Sequence, residues 1–144
     1  MTYRYKNAAP SHAQSYLMPT VKQWLEKTSA QTVFDLGCGN GSAAAELSAQ
    51  YSVTGVDTSE EGIRQAKSAH PSLQLELGSA YDPLASQYGE FDAVISLEVV
   101  EHLYEPRRWA SFVYELLRPG GTAILSTPYH GYLKNLALAV TGKM

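Results

Sequence analysis

Residues 33–41, Val-Phe-Asp-Leu-Gly-Cys-Gly-Asn-Gly, join an acid to three closely spaced glycines. Gly37, Gly39 and Gly41 let the backbone approach a ligand with no side chain in the way. Asp35, two residues ahead of the first glycine, bears on what that ligand is. A carboxylate there repels a pyrophosphate and favours a cation, such as an ammonium or a sulfonium. Twenty-two residues on, Asp57 ends a second apolar run. That is close to the spacing of about 20 residues at which an acid binds a ribose diol. A charge-assisted hydrogen bond of this kind contributes roughly 1.5–3 kcal/mol. Gly39-Asn-Gly41-Ser-Ala-Ala44 also fits a looser dinucleotide pattern. Asp35 and the lack of a second mononucleotide half argue against a nicotinamide or flavin. Cys38 reads as a small loop residue, since no base pattern marks it as a nucleophile.

A second group is Glu98-Val-Val-Glu101-His102. In a helical turn, positions 98, 101 and 102 share a face. Two carboxylates and an imidazole suit a divalent metal such as Mg, Mn or Zn, which would hold a substrate hydroxyl and lower its pKa. Without metal, His102 is the natural base, because an imidazole titrates at about 6.5. His130 follows the last predicted strand and is either a further ligand or substrate contact, or an exposed loop histidine. Tyr3, Tyr5, Tyr16, Tyr129 and Tyr132 either cover a flat acceptor or lie on the surface. Arg4 and His12 would pair with a cofactor carboxylate if the N-terminus closes as a lid.

These residues need elements to hold them at one end of a sheet. Apolar runs predict strands at 32–36, 52–56, 73–77, 93–97 and 122–126. Between them lie helices at 42–50, 60–69, 83–88 and 106–117, the last with Trp109, Phe112, Val113, Leu116 and Leu117 as a stripe. Arg118-Pro-Gly-Gly121 stops that helix. A first helix over 11–27 shows Leu17, Val21, Trp24, Leu25 and Thr28 on one face, with Pro19 expected to break or kink it near Met18. Such alternation makes an α/β fold, a doubly wound Rossmann-like parallel sheet of order 3-2-1-4-5 with helices on both faces. The glycine loop, Asp57, Gly78–Tyr81 and Glu98–His102 then meet beyond the carboxyl ends of the strands, where such sheets bind ligands.

Together, Val33–Gly41, Val53–Thr58, Leu77–Tyr81, Phe91–His102 and Leu117–Pro128 resemble the class I S-adenosylmethionine-dependent methyltransferases. The resemblance covers nearly everything from about residue 20 onward and implies S-adenosylmethionine as cofactor. It places Asp35, Gly37, Cys38, Gly39 and Gly41 along the methionine and ribose portion of the cofactor, and Asp57 on both ribose hydroxyls. Thr58, Ser79 and Ala80 would border the adenine, and Glu98 would lie near the methionine end. The family often has Asp where this chain has Ser79, which weakens that contact. Glu98, Glu101 and His102 match the Glu-x-x-Glu-His of ubiquinone-type O-methyltransferases and small-RNA 2′-O-methyltransferases, where it is associated with metal. The implied activity is O-methylation of a small molecule, with Glu101, His102 and His130 as catalytic candidates. The other readings are metal-assisted RNA 2′-O-methylation and a non-catalytic cofactor-binding module.

The family usually has seven strands, whereas residues 131–140 read as a helix and nothing remains for strands six and seven. The expected organisation is an N-terminal lid and helix at 1–30 and a C-terminally truncated S-adenosylmethionine-binding domain at 31–144. Either the sequence is cut short, or a second copy or a partner covers the edge left by strand five. The 144 residues suffice for a single core. A net charge of −3 without a basic cluster argues against nucleic acid. The one cysteine fits a reducing cytoplasm, and no run is apolar enough to span a membrane or act as a signal peptide.

Overall fold

The computed structural model describes residues 12–129 and residue 140. Tyr3, Arg4, Tyr5, His130, Tyr132, residues 131–139 of the expected last helix and the side chain of His12 lie outside the described residues. Five parallel strands form one sheet in the order β3-β2-β1-β4-β5. They are β1 (Thr32–Leu36), β2 (Ser52–Asp57), β3 (Gln74–Leu77), β4 (Phe91–Leu97) and β5 (Leu117–Ser126). The helices are α1 (His12–Glu26), α2 (Ser42–Leu47), α3 (Glu60–Ala69), α4 (Leu84–Tyr88) and α5 (Pro106–Leu116). A 3-10 turn, Val100–His102, follows β4.

The central strand explains the layering. Successive β1 side chains alternate between faces, and a parallel sheet covered on both sides is apolar on both. Val33 joins a core with Met18, Val21 and Leu25 of α1, Ala43 and Leu47 of α2, and Ile63 and Ala66 of α3. Phe34 and Leu36 face a second core with Leu84 of α4 and Trp109, Val113 and Leu116 of α5. Phe34 meets Phe91 edge-on with ring centroids 5.0 Å apart. Asp35 falls by alternation on the Val33 face and is only 2% exposed. The strand that presents the glycine loop is thus gripped on both faces.

Four expectations need correction. α1 runs unbroken through Pro19, which is exposed. The proline lacks the N–H for one i→i−4 hydrogen bond and crowds the carbonyl one turn earlier, and Met18, Val21 and Leu25 bury one continuous face that offsets the cost. That face is rotated from the expected one, for Trp24 is 53% exposed and carries Lys27 Nζ 4.5 Å from its ring centre. α2 ends at Leu47 instead of Gln50. β5 begins at Leu117 rather than Thr122: Leu117 pairs with Phe91 and Thr122 with Ala93, so residues 118–121 bulge from the register. Gly121 permits this, since a Cβ there would stand 2.9 Å from the Arg118 carbonyl oxygen.

The amino end of the sheet is fastened by Asp92. Its Oδ2 accepts the backbone N–H groups of Gln31 and Thr32 and the Thr32 hydroxyl, each at 2.9 Å. Arg118 donates to its Oδ1 at 2.8 Å. The two backbone N–H donors, then the Thr32 hydroxyl, hold its carboxyl well below the usual carboxylate range. Hydrogen bonds to a charged group contribute about 1.5–3 kcal/mol net, so Asp92→Ala should cost that much in urea unfolding at neutral pH. Because the folded-state pKa is depressed, the contribution is complete above about pH 4 and is lost as pH falls through the folded value. The gap between wild type and variant should therefore narrow only in acid.

Candidate functional site

The other end of the sheet gathers four loops. After β1 the chain reverses through Gly37, Gly39 and Gly41, with φ of +93°, +55° and +76°. Residues with a side chain rarely adopt these values. Gly37 N–H and Cys38 N–H both donate to the Val56 carbonyl of β2, at 2.8 and 3.0 Å. Contact fixes two of these glycines as well. A Cβ on Gly37 would fall 2.4 Å from Val99 Cγ2, and one on Gly41 would fall 2.6 Å from Leu75 Cδ1.

Asp57, at the end of β2, is half-buried and holds two loops together. Its Oδ2 accepts the Gly39 N–H at 2.8 Å and its Oδ1 the Ser59 N–H at 2.7 Å. A carboxylate offers about four lone-pair sites, so each oxygen keeps capacity for a further hydrogen bond. Ser59 caps α3 by accepting the Gly62 N–H at 3.1 Å. Asp35 lies beneath the loop, and its Oδ2 has no hydrogen-bond partner. Burial, and then the charge of Asp57, push its carboxyl up to about 7. Cys38 is also buried, and burial raises its thiol well above the ordinary value. Its Cβ lies 2.9 Å from where a Gly55 Cβ would stand, so it fills a close contact between β1 and β2.

The loop after β3 is a tight turn. Ser79 Oγ accepts the Tyr81 N–H at 3.1 Å, and Asp82 Oδ2 accepts the Ser79 N–H at 2.7 Å. Thr58 is exposed, and Ala80 is half-buried against the α4–α5 core. After β4, Glu98 has φ +57°, the one positive value among the described non-glycine residues. Ser126 at the end of β5 secures it: Glu98 N–H donates to Ser126 Oγ at 3.1 Å, and Ser126 Oγ–H donates to Glu98 Oε1 at 2.8 Å.

The structure does not gather Glu98, Glu101 and His102 into one cluster. Glu98 turns into the left-handed region and spends its carboxylate on Ser126, and the 3-10 turn begins only at Val100. Glu101 Oε1 and His102 Nε2 stand 3.9 Å apart, and the His102 side chain is 69% exposed. Among the described residues no three His, Cys, Asp or Glu side chains could hold a metal ion. The spacing argument failed because it assumed α-helical geometry straight after the strand.

The family model described as "Methyltransferase domain" matches residues 34–125. The chain belongs to the class I S-adenosylmethionine-dependent methyltransferase family. Its similarity to the ubiquinone biosynthesis O-methyltransferase of Caulobacter sp. (strain K31) is 37% identity over 115 residues, covering 76% of this chain and 45% of that protein. With the same enzyme of Xanthomonas campestris pv. campestris (strain B100) it shares 40% identity over 102 residues, 66% of this chain and 42% of that one. The chain thus spans about half the length of the curated relatives it matches. Among solved structures, the PH0226 protein of Pyrococcus horikoshii OT3 superposes with a TM-score of 0.73 at 25% identity, over 90% of this chain and 60% of that one. The S-adenosylmethionine-bound CalS10 of Micromonospora echinaspora, an amino pentose methyltransferase, gives 0.68 at 22% identity over 84% and 52% of the two chains, which shows the shared fold.

Several residues that build this end of the sheet carry no motif signal. Ser42 Oγ lies 2.6 Å from Gln14 Oε1 and 2.8 Å from Asn40 Oδ1, tying α1 to the glycine loop. Gly55 lies in the apolar run of β2, where sequence alone does not show that the Asp35 carbonyl and Cys38 press against it. Among described residues no helix is long and apolar enough to cross a membrane.

Asp35 makes a pH prediction. Its folded pKa of about 7 exceeds the ordinary 3.8, so the folded chain binds the proton more tightly than the unfolded one. The resulting stability is complete below about pH 4 and is lost as pH rises through about 7. Relative to Asp35→Asn, wild type should lose stability between pH 5 and pH 8, by roughly 2–3 kcal/mol. Urea titrations of both proteins at the two pH values measure it.

Proposed function

We propose that this chain binds S-adenosylmethionine and forms the cofactor-binding part of an enzyme that methylates a hydroxyl of a small molecule. The observation that carries the reading is Asp57, a half-buried carboxylate anchored at 2.8 and 2.7 Å by two loop N–H groups at the end of β2. The residues fit this cofactor chemically. Asp35 Oδ2 is buried without a partner beside the glycine loop, and a neighbouring cation would favour its charged form. Asp57 lies where an acid meets a ribose diol in doubly wound sheets.

In this reading Gly37, Cys38, Gly39 and Gly41 give the cofactor a surface of backbone, and Glu98 borders its methionine end. Thr58, Ser79 and Ala80 border its base. When bound, the cofactor supplies an electrophilic methyl group on sulfur. The chain's task is to align an acceptor oxygen with it, and positioning of this kind can account for about 7–11 kcal/mol of a barrier. His102 is exposed at the mouth and would take the hydroxyl proton, with Glu101 beside it stabilising the imidazolium that results. His130 is a further candidate contact to the acceptor. Small-molecule O-methylation is supported by the ubiquinone biosynthesis enzymes that share 37–40% identity with this chain.

Calorimetry tests the cofactor. S-adenosylhomocysteine should bind and NAD should not; the reverse result sinks the proposal. Asp57→Ala should weaken S-adenosylhomocysteine by about tenfold to a hundredfold, the equivalent of 1.5–3 kcal/mol. Removing divalent ions with EDTA should leave this binding unchanged, because the candidate metal trio is not assembled.

A further inference from the structure

We propose that Ser126 of β5 is a positioning residue for cofactor binding: its hydroxyl holds Glu98 left-handed, and Glu98 so held seats Val99 on Gly37 of the glycine loop. The proposal rests on the cofactor reading above. It also reaches the candidate base, because Val99 begins the turn that carries Glu101 and His102.

β4 and β5 run side by side to their ends, where Leu97 pairs with Ser126. The next residue leaves the strand. Glu98 has φ +57°, a conformation less accessible to a residue with a side chain than to glycine. Ser126 meets it at three points. The Glu98 N–H is shared between the Ser126 hydroxyl oxygen at 3.1 Å and the Ser126 carbonyl at 3.2 Å, and the hydroxyl donates to Glu98 Oε1 at 2.8 Å. A hydroxyl can accept and donate at once, so it brackets Glu98 from backbone N–H to carboxylate.

Beyond Glu98 the chain lies on the glycine loop. Val99 stands where a Gly37 side chain would be: a Cβ there would fall 2.4 Å from Val99 Cγ2 and 3.4 Å from Cγ1. Gly37 in turn hangs on β2 through its N–H to the Val56 carbonyl at 2.8 Å. The Val99 carbonyl accepts the His102 N–H at 2.9 Å, across the turn Val100–His102. A change of φ at Glu98 displaces all of these groups, because it rotates the chain that follows. Cofactor affinity then scales with the fraction of molecules in which Glu98 keeps its conformation.

The test is calorimetric titration of S-adenosylhomocysteine against folded wild type and variants, with NMR spectra of the ligand-free proteins. Ser126→Ala should weaken the ligand by about tenfold, the effect of a competent fraction of about one tenth. It should also shift the Gly37 amide and Val99 methyl resonances before ligand is added. Ser126→Thr keeps the hydroxyl and should restore both. Two double variants isolate the backbone: Ser126→Ala combined with Glu98→Gly, and Ser126→Ala combined with Glu98→Ala. Both lack the hydroxyl and the carboxylate, and they differ in how readily residue 98 turns left-handed. The pair with Glu98→Gly should bind about fivefold or more tighter than the pair with Glu98→Ala. Val99→Ala uncovers Gly37 while leaving Ser126 and Glu98 in place, so it decides the matter even where Ser126→Ala does not fold; it too should weaken the ligand.

Unchanged affinity in folded Ser126→Ala or in Val99→Ala overturns the proposal. So does a loss that Ser126→Thr does not recover, or equal affinity of the two double variants. Failure of wild type to bind S-adenosylhomocysteine overturns the cofactor reading and this proposal with it. Resonances of Gly37 and Val99 that stay in place in Ser126→Ala, where wild type binds, overturn only the role of Ser126.

Discussion

The close approach of β1 to β2 is the constraint on which the site depends. The glycine loop rests on the end of β2: two of its N–H groups share the Val56 carbonyl, and a third reaches the Asp57 carboxylate. This is possible because Gly55 has no side chain, which leaves the Asp35 carbonyl and Cys38 room to press in. Backbone donors that the sharp turn would leave buried and unpaired, each costly in free energy, are thereby satisfied. The same contacts hold Asp57 still. A carboxylate anchored by backbone N–H groups presents its remaining lone pairs in a fixed direction, before any ligand arrives.

A second consequence is electrostatic. The loop that covers Asp35 also removes it from water and places it near the Asp57 charge, so its carboxyl titrates at about 7. The folded chain therefore holds a poorly solvated acid at a place where a cation would relieve it. Glu98 adds a different strain, a left-handed backbone at a residue with a side chain. Departures of this kind cost roughly 1–3 kcal/mol and gather at functional sites. Ser126 secures Glu98 from the neighbouring strand, through hydrogen bonds to both its backbone N–H and its carboxylate. The mouth is thus kept in shape by interactions that run between strands.

What the sequence made legible follows from what is local. The glycine loop and the acid ending β2 could be read because spacing within one segment determines them, and the strand order because alternation and right-handed crossovers leave few choices. Asp92 escaped, because its partners Gln31 and Thr32 lie about sixty positions away and no motif marks the pair. The face of α1 was misjudged because helical periodicity cannot tell Met18 from Leu17 until the sheet supplies the partner surface. The metal trio failed for a related reason. Its spacing presumed an α-turn, and the left-handed Glu98 followed by a 3-10 turn leaves the three side chains short of a metal-holding group.

The two ends of the sheet show why so acidic a mouth is tolerated. At the amino end, Asp92 carries its charge among three neutral donors and an arginine, where ionisation stabilises the fold. At the carboxyl end, Asp35 is buried with an unpartnered oxygen, where ionisation works against the fold. The first arrangement binds β1 to β4 and asks nothing of a ligand. The second is relieved by protonation in acid, and a positive charge seated beside it would favour its ionised form. Because both carboxylates act on β1, the strand held most firmly between the two cores, the structural acid supports the strand that presents the strained one. A fold can keep an uncompensated acid at its mouth when its far end is this well satisfied.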